Sequence, residues 1–393
     1  MPAVRSIVVV GAGVFGVTAA LELRRRGWRV TVVDPGPVPR PAAASTDISK
    51  VVRMDYGPDE LYTAMGEAAL SGWDRWNDAW KSPLYHQDGF LLLTTEAMQP
   101  GGFEHESFAL LRRRGHTPER IRPGDLGGRF TGWDGARYRD GYFNARAGWV
   151  ESGPVLARLA ADAVAQGVLL AEGITFERLL ETDAGVAGIR ATDSTELRAD
   201  VVLVAAGAWT PTLLPHLRGV MWTTGQAVVH LTVERAAEWQ APRFPVWAAD
   251  ISRTGWYGFP ALADGTLKIG RHGPGRRVHP DEPRTVLSSE LVPFREFVHE
   301  SLPALAGAPI AATRLCLYCD TFDGDFWIDH DPARAGLVVA AGDSGHGFKF
   351  APLLGQLIAD VVERRPNAWS PRFAWRARVA DGKEAARAMQ TEL

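Results

Sequence analysis

Cys316 and the glycine-rich run that follows it are the features of this sequence with the clearest chemical potential. Cys316 offers a thiol on an apolar stretch, and the run Gly342-Asp-Ser-Gly-His-Gly-Phe-Lys-Phe350 lies downstream of it. A thiolate can attack an electrophilic ring, and glycines let a large ring approach the backbone closely. This pairing is what a covalently held flavin needs.

Lys268 is a candidate functional residue on a predicted strand. In the segment 265–272, alternation places Leu267 and Ile269 on one face. Lys268 and Gly270 then share the opposite face. A lysine that faces the interior is costly unless it has a task, and the alternative is a solvated lysine on an edge strand.

The elements that must position such groups begin with a nucleotide-binding pattern. An apolar strand, residues 7–10, leads into Gly11, Gly13 and Gly16, which open an apolar helix. A second strand ends in Asp34, where an acidic side chain can accept hydrogen bonds from both hydroxyls of an adenosine ribose. Strand, glycine triplet, helix, strand and acid in register favour a dinucleotide. The alternative is a glycine-rich turn that only packs a helix closely.

Two later segments repeat the pattern of an apolar strand that ends in glycine, at residues 201–207 and 337–342. A NAD enzyme usually needs one contiguous doubly wound domain, whereas FAD is held along its whole length by distant strands. The three separated junctions therefore favour FAD over NAD. The other predicted elements are a helix over 152–166, strands over 168–171 and 186–191, and a helix over 352–364.

Length and composition limit the function classes. A chain of 393 residues exceeds one ordinary core, so two domains are expected. The 46% hydrophobic and 23% charged content is that of a soluble globular protein, without an apolar run that could span a bilayer. A formal charge of -3 with scattered basic residues gives no footprint for nucleic acid. Two cysteines and a start without a secretion signal predict a reducing, cytoplasmic location.

The predicted fold class is α/β, with a Rossmann-type FAD-binding domain and a second domain built on a mostly antiparallel sheet with helices. The second domain is predicted because two blocks are richer in Trp, Tyr, Pro and short alternating strands, as expected of a mostly antiparallel sheet that carries a substrate pocket. The blocks are residues 86–145 and 216–315. The FAD-binding domain is assigned to residues 1–85, 146–215 and 316–375, and residues 376–393 form a C-terminal tail without an assigned role.

Four motifs together resemble the family of monomeric sarcosine oxidase and its relatives, the fructosyl-amine oxidases or amadoriases. They are the Gly11 triplet, Ala205-Ala-Gly207-Ala-Trp, Cys316-Leu-Tyr318 and Ser344-Gly-His-Gly-Phe-Lys349-Phe. The resemblance runs through nearly the whole chain and implies a monomer that holds FAD covalently and oxidises secondary amines of amino acids. In such a reaction hydride passes from the carbon next to nitrogen to flavin N5, and water hydrolyses the imine. Dioxygen then reoxidises the flavin and gives hydrogen peroxide.

The resemblance matches Cys316 to the cysteine whose sulfur bonds the flavin ring. Cys319 lies three residues later, so a redox or zinc Cys-x-x-Cys motif is one alternative. Positions three apart on a strand point to opposite faces, and the sequence has no second cysteine pair to complete a zinc site. A small buried hydrophobe is the other alternative for a single cysteine.

The resemblance also implies residues near the reacting atoms. Lys268 matches a lysine beside the flavin whose positive charge activates dioxygen by stabilising superoxide. His272 matches a histidine near the substrate amine, although a lone histidine is more often a satisfied core or surface residue. Tyr257 and Tyr318 match aromatic residues that line the pocket, and either could equally be core packing.

Arg53 and Lys349 match the pair that clamps the substrate carboxylate. A planar fork and a point charge together fix the position of an anion, so the implied substrate is a small amine that bears a carboxylate. The alternative for Arg53 is a surface ion pair with Asp55 or Asp47.

Further cofactor contacts are implied by the same motifs. Lys50 resembles the amadoriase lysine near the flavin, and Phe348 and Lys349 are expected to flank it. The predicted cofactor-binding residues are Gly11, Gly13, Val14, Phe15, Gly16, Asp34, Ser45, Ser49, Lys50, Ile174, Ala206, Gly207, Cys316, Gly342, Gly345, Gly347, Phe348 and Lys349.

Two departures from the family limit the predicted substrate. Amadoriases carry an acidic residue where His272 stands and use it to bind sugar hydroxyls, which argues against a fructosyl substrate. The predicted pocket segments also hold many tryptophans, which predicts a bulkier N-alkyl or cyclic amino acid rather than sarcosine. These tryptophans include Trp222, Trp239, Trp247 and Trp256.

Several other functions compete with this interpretation. A flavin-dependent dehydrogenase or biosynthetic tailoring oxidoreductase of the same fold stays open, as does a fructosyl-amine oxidase. A flavin-dependent RNA-modifying protein is disfavoured because no basic stripe is present. Gly342-Asp-Ser344-Gly is similar to the nucleophile segment of trypsin-like proteases. That function is rejected because it needs a secreted two-barrel fold with disulfides.

Overall fold

The chain folds into two units, each assembled from separated segments. The computed structural model describes residues 4–379, 382–383 and 386–388. The first unit comprises Met1–Ile48, Glu151–Thr224 and Leu317–Glu384, and the second comprises Ser49–Val150, Gly225–Cys316 and Ala385–Leu393. The helices are α1 (Val14–Arg25), α2 (Glu60–Trp80), α3 (Phe103–Arg113), α4 (Asp125–Arg129), α5 (Ser152–Ala165), α6 (Thr210–Leu213), α7 (Ser288–Ser301) and α8 (Ala351–Val362).

The strands follow in the same chain order. They are β1 (Ser6–Val10), β2 (Arg29–Asp34), β3 (Lys50–Val52), β4 (Tyr85–His86), β5 (Phe90–Thr94), β6 (Glu119–Arg120), β7 (Asp140–Asn144), β8 (Gly148–Val150), β9 (Leu169–Glu172), β10 (Phe176–Thr182), β11 (Gly185–Ala191), β12 (Glu196–Arg198), β13 (Val201–Val204), β14 (Met221–Thr232), β15 (Val246–Ala249), β16 (Trp256–Gly258), β17 (Thr266–Arg271), β18 (Arg276–Arg277), β19 (Ile310–Thr321), β20 (Trp327–His330) and β21 (Leu337–Ala341).

A six-stranded sheet forms the centre of the first unit, in the order β20-β21-β13-β1-β2-β9. All its pairings are parallel except that of β20 with β21. Strands β1 and β21 are buried along their whole length, as expected for central parallel strands covered on both faces. The predicted α/β class and the strands over 7–10, 201–204 and 337–341 are confirmed.

The predicted strand over 186–191 exists but belongs to another sheet. It is β11, which pairs antiparallel with β10 and β12 in a separate three-stranded sheet of the same unit. Strand β10 was not predicted, because its sequence Phe-Glu-Arg-Leu-Leu-Glu-Thr holds three charged residues and lacks a clear apolar alternation.

A nine-stranded, mostly antiparallel sheet forms the centre of the second unit. Its order is β18-β14-β17-β16-β15-β5-β7-β6, with β19 paired to β14. The β15–β5 pairing is parallel. The chain crosses between the two units inside β14 and β19.

Some unit boundaries differ from the predicted domain boundaries. Residues 49–85, assigned from sequence to the FAD-binding domain, lie in the second unit, because β3 pairs with β8 there. Residues 216–224 lie in the first unit. Within the described residues, no helix combines the length and apolar character needed to cross a membrane. Which unit binds the cofactor and which the substrate stays a prediction.

The tryptophans that suggested a roomy pocket lie mostly in the core of the second unit. Trp239, Trp247 and Trp256 are all buried in one apolar cluster. Phe297 of α7 stacks on both Trp247 and Trp256, with ring centroids 5.5 and 4.5 Å apart. Trp222 is partly buried against the core of the first unit. These rings pack the fold, so the sequence argument from tryptophan content for a bulky substrate loses its support.

An ion-pair cluster joins α1 and α8 within the first unit. Arg26 lies 2.8 Å from both Glu22 and Asp360 and 3.0 Å from Glu363. The Glu363 side chain is only 2% exposed. Burial alone would raise the pKa of Glu363, but hydrogen bonds from Trp28 and Arg26 hold that pKa below its ordinary value. The cluster therefore replaces the water that these carboxylates lose on folding.

Replacing Arg26 by Ala is expected to lower the free energy of unfolding by about 3 kcal/mol, because two buried carboxylates lose a partner. Urea denaturation at pH 7 measures the change. Since the pKa of Glu363 is lowered in the folded state, its stabilisation is full above pH 4.5 and is lost as pH falls through the lowered value. In the variant this acid loss should be smaller, because Arg26 no longer helps to lower the pKa of Glu363.

Arg25→Ala is the matched control for this prediction. Arg25 directly precedes Arg26 and also forms an ion pair with Glu22, but its side chain is 67% exposed. We expect a change within about 0.5 kcal/mol. Equal effects of the two substitutions would contradict a special contribution from the buried cluster.

Candidate cofactor and substrate sites

The first glycine turn is held by close backbone packing. Gly11 has a φ of +106°, and a Cβ there would lie 2.6 Å from the carbonyl oxygen of Ala205. A Cβ at Gly16 would overlap the Gly11 carbonyl. These contacts bring α1 close to the ends of β1 and β13, the location where a Rossmann fold binds a pyrophosphate. The glycines thus serve close helix packing, and a cofactor role is compatible with it.

Asp34 lies at the end of β2 beside this turn. Its Oδ2 accepts a hydrogen bond from the Ala12 amide at 3.0 Å, and Oδ1 accepts one from the Gly36 amide at 3.2 Å. Each carboxylate oxygen has more than one acceptor position, so the fixed side chain can still receive ribose hydroxyls. The Ile174 amide donates to the Asp34 carbonyl at 3.2 Å, which places Ile174 beside the same strand end.

Ser45 contributes its hydroxyl at the N-terminus of α1. Its Oγ accepts a hydrogen bond from the Val14 amide at 3.1 Å and would lie 3.4 Å from a Cβ at Gly13. A Cβ at Gly11 would also lie 3.0 Å from the Cα of Ala206, and Gly207 follows with a φ of +52°. The structure therefore brings together, within the first unit, half of the predicted cofactor-binding residues: Gly11, Gly13, Val14, Gly16, Asp34, Ser45, Ile174, Ala206 and Gly207.

The second glycine run makes room for the protein's own side chains. A Cβ at Gly345 would overlap the ring of Tyr318, and a Cβ at Gly347 would lie 2.9 Å from Phe15. Gly342 has a φ of +72°, and Thr321 lies against it. The Phe15 contact brings the run next to the start of α1. Approach of a flavin to these glycines stays a prediction, because side chains account for the close contacts that the structure shows.

Lys349 and Phe348 follow this run and are buried. The Lys349 side chain is 4% exposed, and its Nζ donates to the His346 carbonyl at 2.8 Å. Tyr318 is also buried, against Gly345. Among the predicted catalytic residues, the first unit therefore holds the buried ammonium group of Lys349 and the buried ring of Tyr318.

Lys268 is a buried cation in the second unit. Strand β17 lies between β14 and β16 in the sheet, and the lysine is 1% exposed. Its Nζ donates to the Ser49 carbonyl at 2.7 Å and lies 4.6 Å from the ring centroid of Phe259. The alternative of a solvated lysine on an edge strand is wrong, because the strand is interior.

Ser49 has a buried hydroxyl group next to this lysine. Its Oγ is buried and has no hydrogen-bond partner among the described residues. Buried hydroxyls are normally satisfied, so an orphaned one fits a site that receives a polar group from outside the chain. Lys50, the next residue, is half-buried at the start of β3. A cofactor with polar ring atoms fits these residues.

Arg53 is buried rather than paired on the surface. It is 7% exposed, and its guanidinium carbon lies 4.8 Å from the ring centroid of Tyr56. Asp55 is fully buried and accepts a hydrogen bond from the Tyr142 hydroxyl at 2.8 Å. Burial raises the pKa of Asp55, while the positive charge of Arg53 opposes that rise. The surface ion-pair alternative is therefore wrong for Asp55.

Sequence reasoning missed this internal support for Arg53. Asn144, whose amide nitrogen lies 3.2 Å from Asp55 Oδ2, belongs to β7, as does Tyr142. Nothing in the local sequence around Arg53 indicates that β7 lies beside it. The one available signal was Asp55 itself, an acid two residues from the arginine.

Tyr257 and His272 lie at the β16–β17 hairpin. Tyr257 pairs across the ladder with Gly270, and a Cβ on Gly270 would overlap the Tyr257 ring. His272 is 7% exposed, and its amide donates to the Gly255 carbonyl at 2.7 Å. Gly270 lies two residues from Lys268, so the tyrosine ring covers the strand face that carries the lysine. Their roles towards a substrate stay predictions.

Both cysteines are free and buried. Cys319 packs in the core of the first unit, with its Sγ 3.9 Å from the Met221 sulfur. Burial raises the pKa of Cys319 far above the ordinary thiol value, which makes it a poor nucleophile. Cys316 is 2% exposed and is the last residue of its segment of the second unit. Attachment of flavin to Cys316 stays a prediction.

The predicted site residues are divided between the two units. Arg53, Lys268, His272, Tyr257 and Cys316 belong to the second unit, whereas Lys349 and Tyr318 belong to the first. The structure brings Lys268 together with Ser49, and it places the Tyr257 ring over Gly270 of the same strand as the lysine. The carboxylate clamp of Arg53 with Lys349 joins residues of different units and stays a prediction.

Comparison with known proteins identifies related sequences over nearly the whole chain. The family model described as FAD dependent oxidoreductase matches residues 6–361. N-methyl-L-tryptophan oxidase of Salmonella arizonae is 27% identical over 378 residues, covering 92% of this chain and 95% of the relative. Monomeric sarcosine oxidase of Bacillus sp. is 24% identical over 362 residues, covering 91% of each chain.

A solved structure shares the fold as well. The crystal structure of fructosamine oxidase (Amadoriase II) from Aspergillus fumigatus superposes with a TM-score of 0.82 at 27% sequence identity. The match covers 98% of this chain and 95% of that chain. Sequence and structure comparisons therefore point to the same group of oxidases.

Replacing Gly270 by Ala should displace the Tyr257 ring and lower the free energy of unfolding by about 1–3 kcal/mol, the usual cost of overpacking. Neither Gly270 nor Gly273 has a positive φ among the described residues, so backbone strain does not confuse the comparison. Urea denaturation followed by circular dichroism measures the effect. Gly273→Ala is the control, since its Cβ would meet no atom closer than 3.8 Å. Equal stabilities of the two variants would contradict the close Tyr257–Gly270 contact.

Proposed function

The chain belongs to the family of FAD dependent oxidoreductases, and we propose that it oxidises the secondary amine of an N-alkyl or cyclic amino acid with dioxygen as the acceptor. The match over residues 6–361 supports FAD as the cofactor. Bound FAD would supply two-electron chemistry, taking a hydride from the carbon next to nitrogen. The residues that would hold it are the Gly11–Gly16 turn, Asp34, Ser45 and Ser49, with Cys316 as the covalent attachment point.

The observation that carries the proposal is the fully buried Lys268. A buried ammonium loses its hydration, and its contacts include the Ser49 carbonyl and the face of the Phe259 ring. A buried charge in the interior of a sheet is a candidate for a functional role, because its electric field acts on nearby groups. In this proposal Lys268 stabilises negative charge that develops on dioxygen, because a fixed cation in a dry site needs no reorganisation when that charge appears.

Arg53 would bind and orient the substrate carboxylate together with Lys349. The Arg53 guanidinium is already buried, and it is stabilised by the ring of Tyr56 and by its electrostatic interaction with Asp55. An arginine held in this way loses little conformational freedom on binding an anion. With the carboxylate fixed, His272 and Tyr257 would set the position of the amine and exclude water around it.

The proposed substrate class rests on the relatives rather than on pocket size. Oxidases of N-methyl-L-tryptophan and of sarcosine act on N-methyl amino acids, and both cover more than 90% of this chain. A fructosyl amine is the second candidate, because the fructosamine oxidase structure is equally similar in sequence to this chain. The histidine at position 272 argues against that candidate. A monomer acting in the cytoplasm on small molecules completes the proposal.

Lys268→Met is expected to leave reduction of the flavin by N-methyl-L-tryptophan nearly intact and to slow its reoxidation by dioxygen on the order of 1,000-fold. Methionine keeps the length and removes the charge. Stopped-flow absorbance under anaerobic conditions, followed by mixing with oxygenated buffer, measures the two steps. In the same assay the wild-type protein should be reduced by N-methyl-L-tryptophan or sarcosine and not by a fructosyl amine.

Lys81→Met, an exposed substitution at the end of α2, is the control and should alter neither step. Unchanged reoxidation in Lys268→Met would sink the role assigned to this lysine and favour a dehydrogenase with another acceptor. Reduction by the fructosyl amine alone would replace the proposed substrate class.

Cys316→Ser should release the flavin on acid precipitation, whereas the wild-type pellet should stay yellow. The reason is that a serine hydroxyl is far less nucleophilic than a thiolate. The absorbance of pellet and supernatant measures the bound fraction. Cys319→Ala is the control and should retain colour in the pellet. Free flavin in the wild-type supernatant would contradict covalent attachment without removing the oxidase proposal.

A further inference from the structure

The end of the chain contains a buried segment for which the sequence analysis had no role. Ala386 and Ala388 are fully buried, and Arg387 between them is 7% exposed. An arginine at this degree of burial is costly unless its guanidinium is well hydrogen-bonded. These three residues, called the C-terminal strap below, belong to the second unit.

The strap hydrogen-bonds to the loop that follows β17. Arg387 Nε donates to the Gly273 carbonyl at 2.9 Å, and the Ala388 amide donates to the His272 carbonyl at 3.1 Å. The donor of the first hydrogen bond is a charged guanidinium, and hydrogen bonds with a charged donor are stronger than those between neutral groups. Arg387 Nη2 also donates to the Pro274 carbonyl at 3.5 Å, so the strap contacts three successive carbonyl groups of the loop.

The remaining support of this loop comes from elsewhere in the second unit. Gln226 Nε2 donates to the same Gly273 carbonyl at 2.6 Å, and the His272 amide donates to the Gly255 carbonyl at 2.7 Å. Gly273 therefore receives one neutral and one charged donor. Loss of Arg387 would remove the charged one and leave Gln226 at that carbonyl.

We propose that the C-terminal strap is part of the substrate site, and that Arg387 is a positioning residue that sets the orientation of His272. This inference rests on the proposed function, in which His272 lies near the substrate amine. His272 directly follows the last residue of β17, and its backbone is held by the hydrogen bonds with Gly255 and Ala388. A displacement of about 1 Å at such a residue can lower the rate about 100-fold.

Hydrogen exchange tests the structural half of the proposal without any substrate. In Arg387→Ala, amides of residues 270–276 should exchange at least about fivefold faster than in the wild type, because local opening becomes easier. Arg378→Ala is the matched control: Arg378 is an exposed arginine near the chain end that donates to the Gly219 carbonyl of the first unit at 3.1 Å. It should leave exchange in the loop unchanged. Unchanged exchange in Arg387→Ala would overturn the proposal.

A double-mutant cycle with His272→Asn tests the functional half. With N-methyl-L-tryptophan as the probe substrate, Arg387→Ala should lower kcat/KM about tenfold in the wild-type background. In the His272→Asn background it should lower kcat/KM less than about twofold, since the residue through which it acts is already gone. Equal effects in both backgrounds would overturn the positioning role, including the case in which His272→Asn itself has no effect.

Arg387→Lys protects the test against a folding defect, because lysine keeps a charged donor. It should fold and recover most of the lost kcat/KM, while a loss as large as that of the alanine variant would overturn the proposal. If the wild-type protein does not oxidise the probe substrate, the proposed function fails by itself. Loop exchange then still decides whether Arg387 holds the His272 loop.

Discussion

The free-energy cost of burying positive charge is the constraint on which the candidate site depends. Lys268, Arg53 and Lys349 are each less than 8% exposed. A buried lysine without partners tends to lose its charge, and a buried arginine stays charged at a high desolvation cost, so the surrounding chain must supply carbonyls, aromatic faces or carboxylates. Each of these side chains has such support nearby. The positions of Ser49, Phe259 and Asp55 follow from this requirement as much as from packing.

Close backbone approach is the second constraint. Gly11 and Gly16 allow α1 to reach the ends of β1 and β13, and a methyl group at either position would collide with a carbonyl. Gly270 and Gly345 instead accept tyrosine rings. The same residue type therefore serves two purposes in this protein. In the first glycine turn it lets a helix pack closely against strand ends, and elsewhere it seats aromatic side chains next to candidate site residues.

The tryptophan-rich segments show how composition can mislead about function. Trp247 and Trp256 stack on Phe297 of α7 and fill the space between this helix and the nine-stranded sheet. Large aromatic rings bury much apolar surface, so a core is their ordinary place. The number of tryptophans therefore gives no information about the size of the substrate. The buried Arg387 at the chain end shows the converse, since a segment without any motif contacts the loop of His272.

The sequence by itself determined the parts of this protein that depend on local patterns. The glycine turn and Asp34 follow from residues adjacent along the chain, because strand, turn and helix propensities are local. Only the tertiary structure decided that Lys268 is interior. It also decided that Tyr142 of a distant strand donates a hydrogen bond to Asp55 near Arg53, and that β11 pairs with β10 outside the parallel sheet. Burial and long-range pairing depend on which strands become neighbours. That choice is made by the total packing energy of the chain and leaves no signal around any single residue.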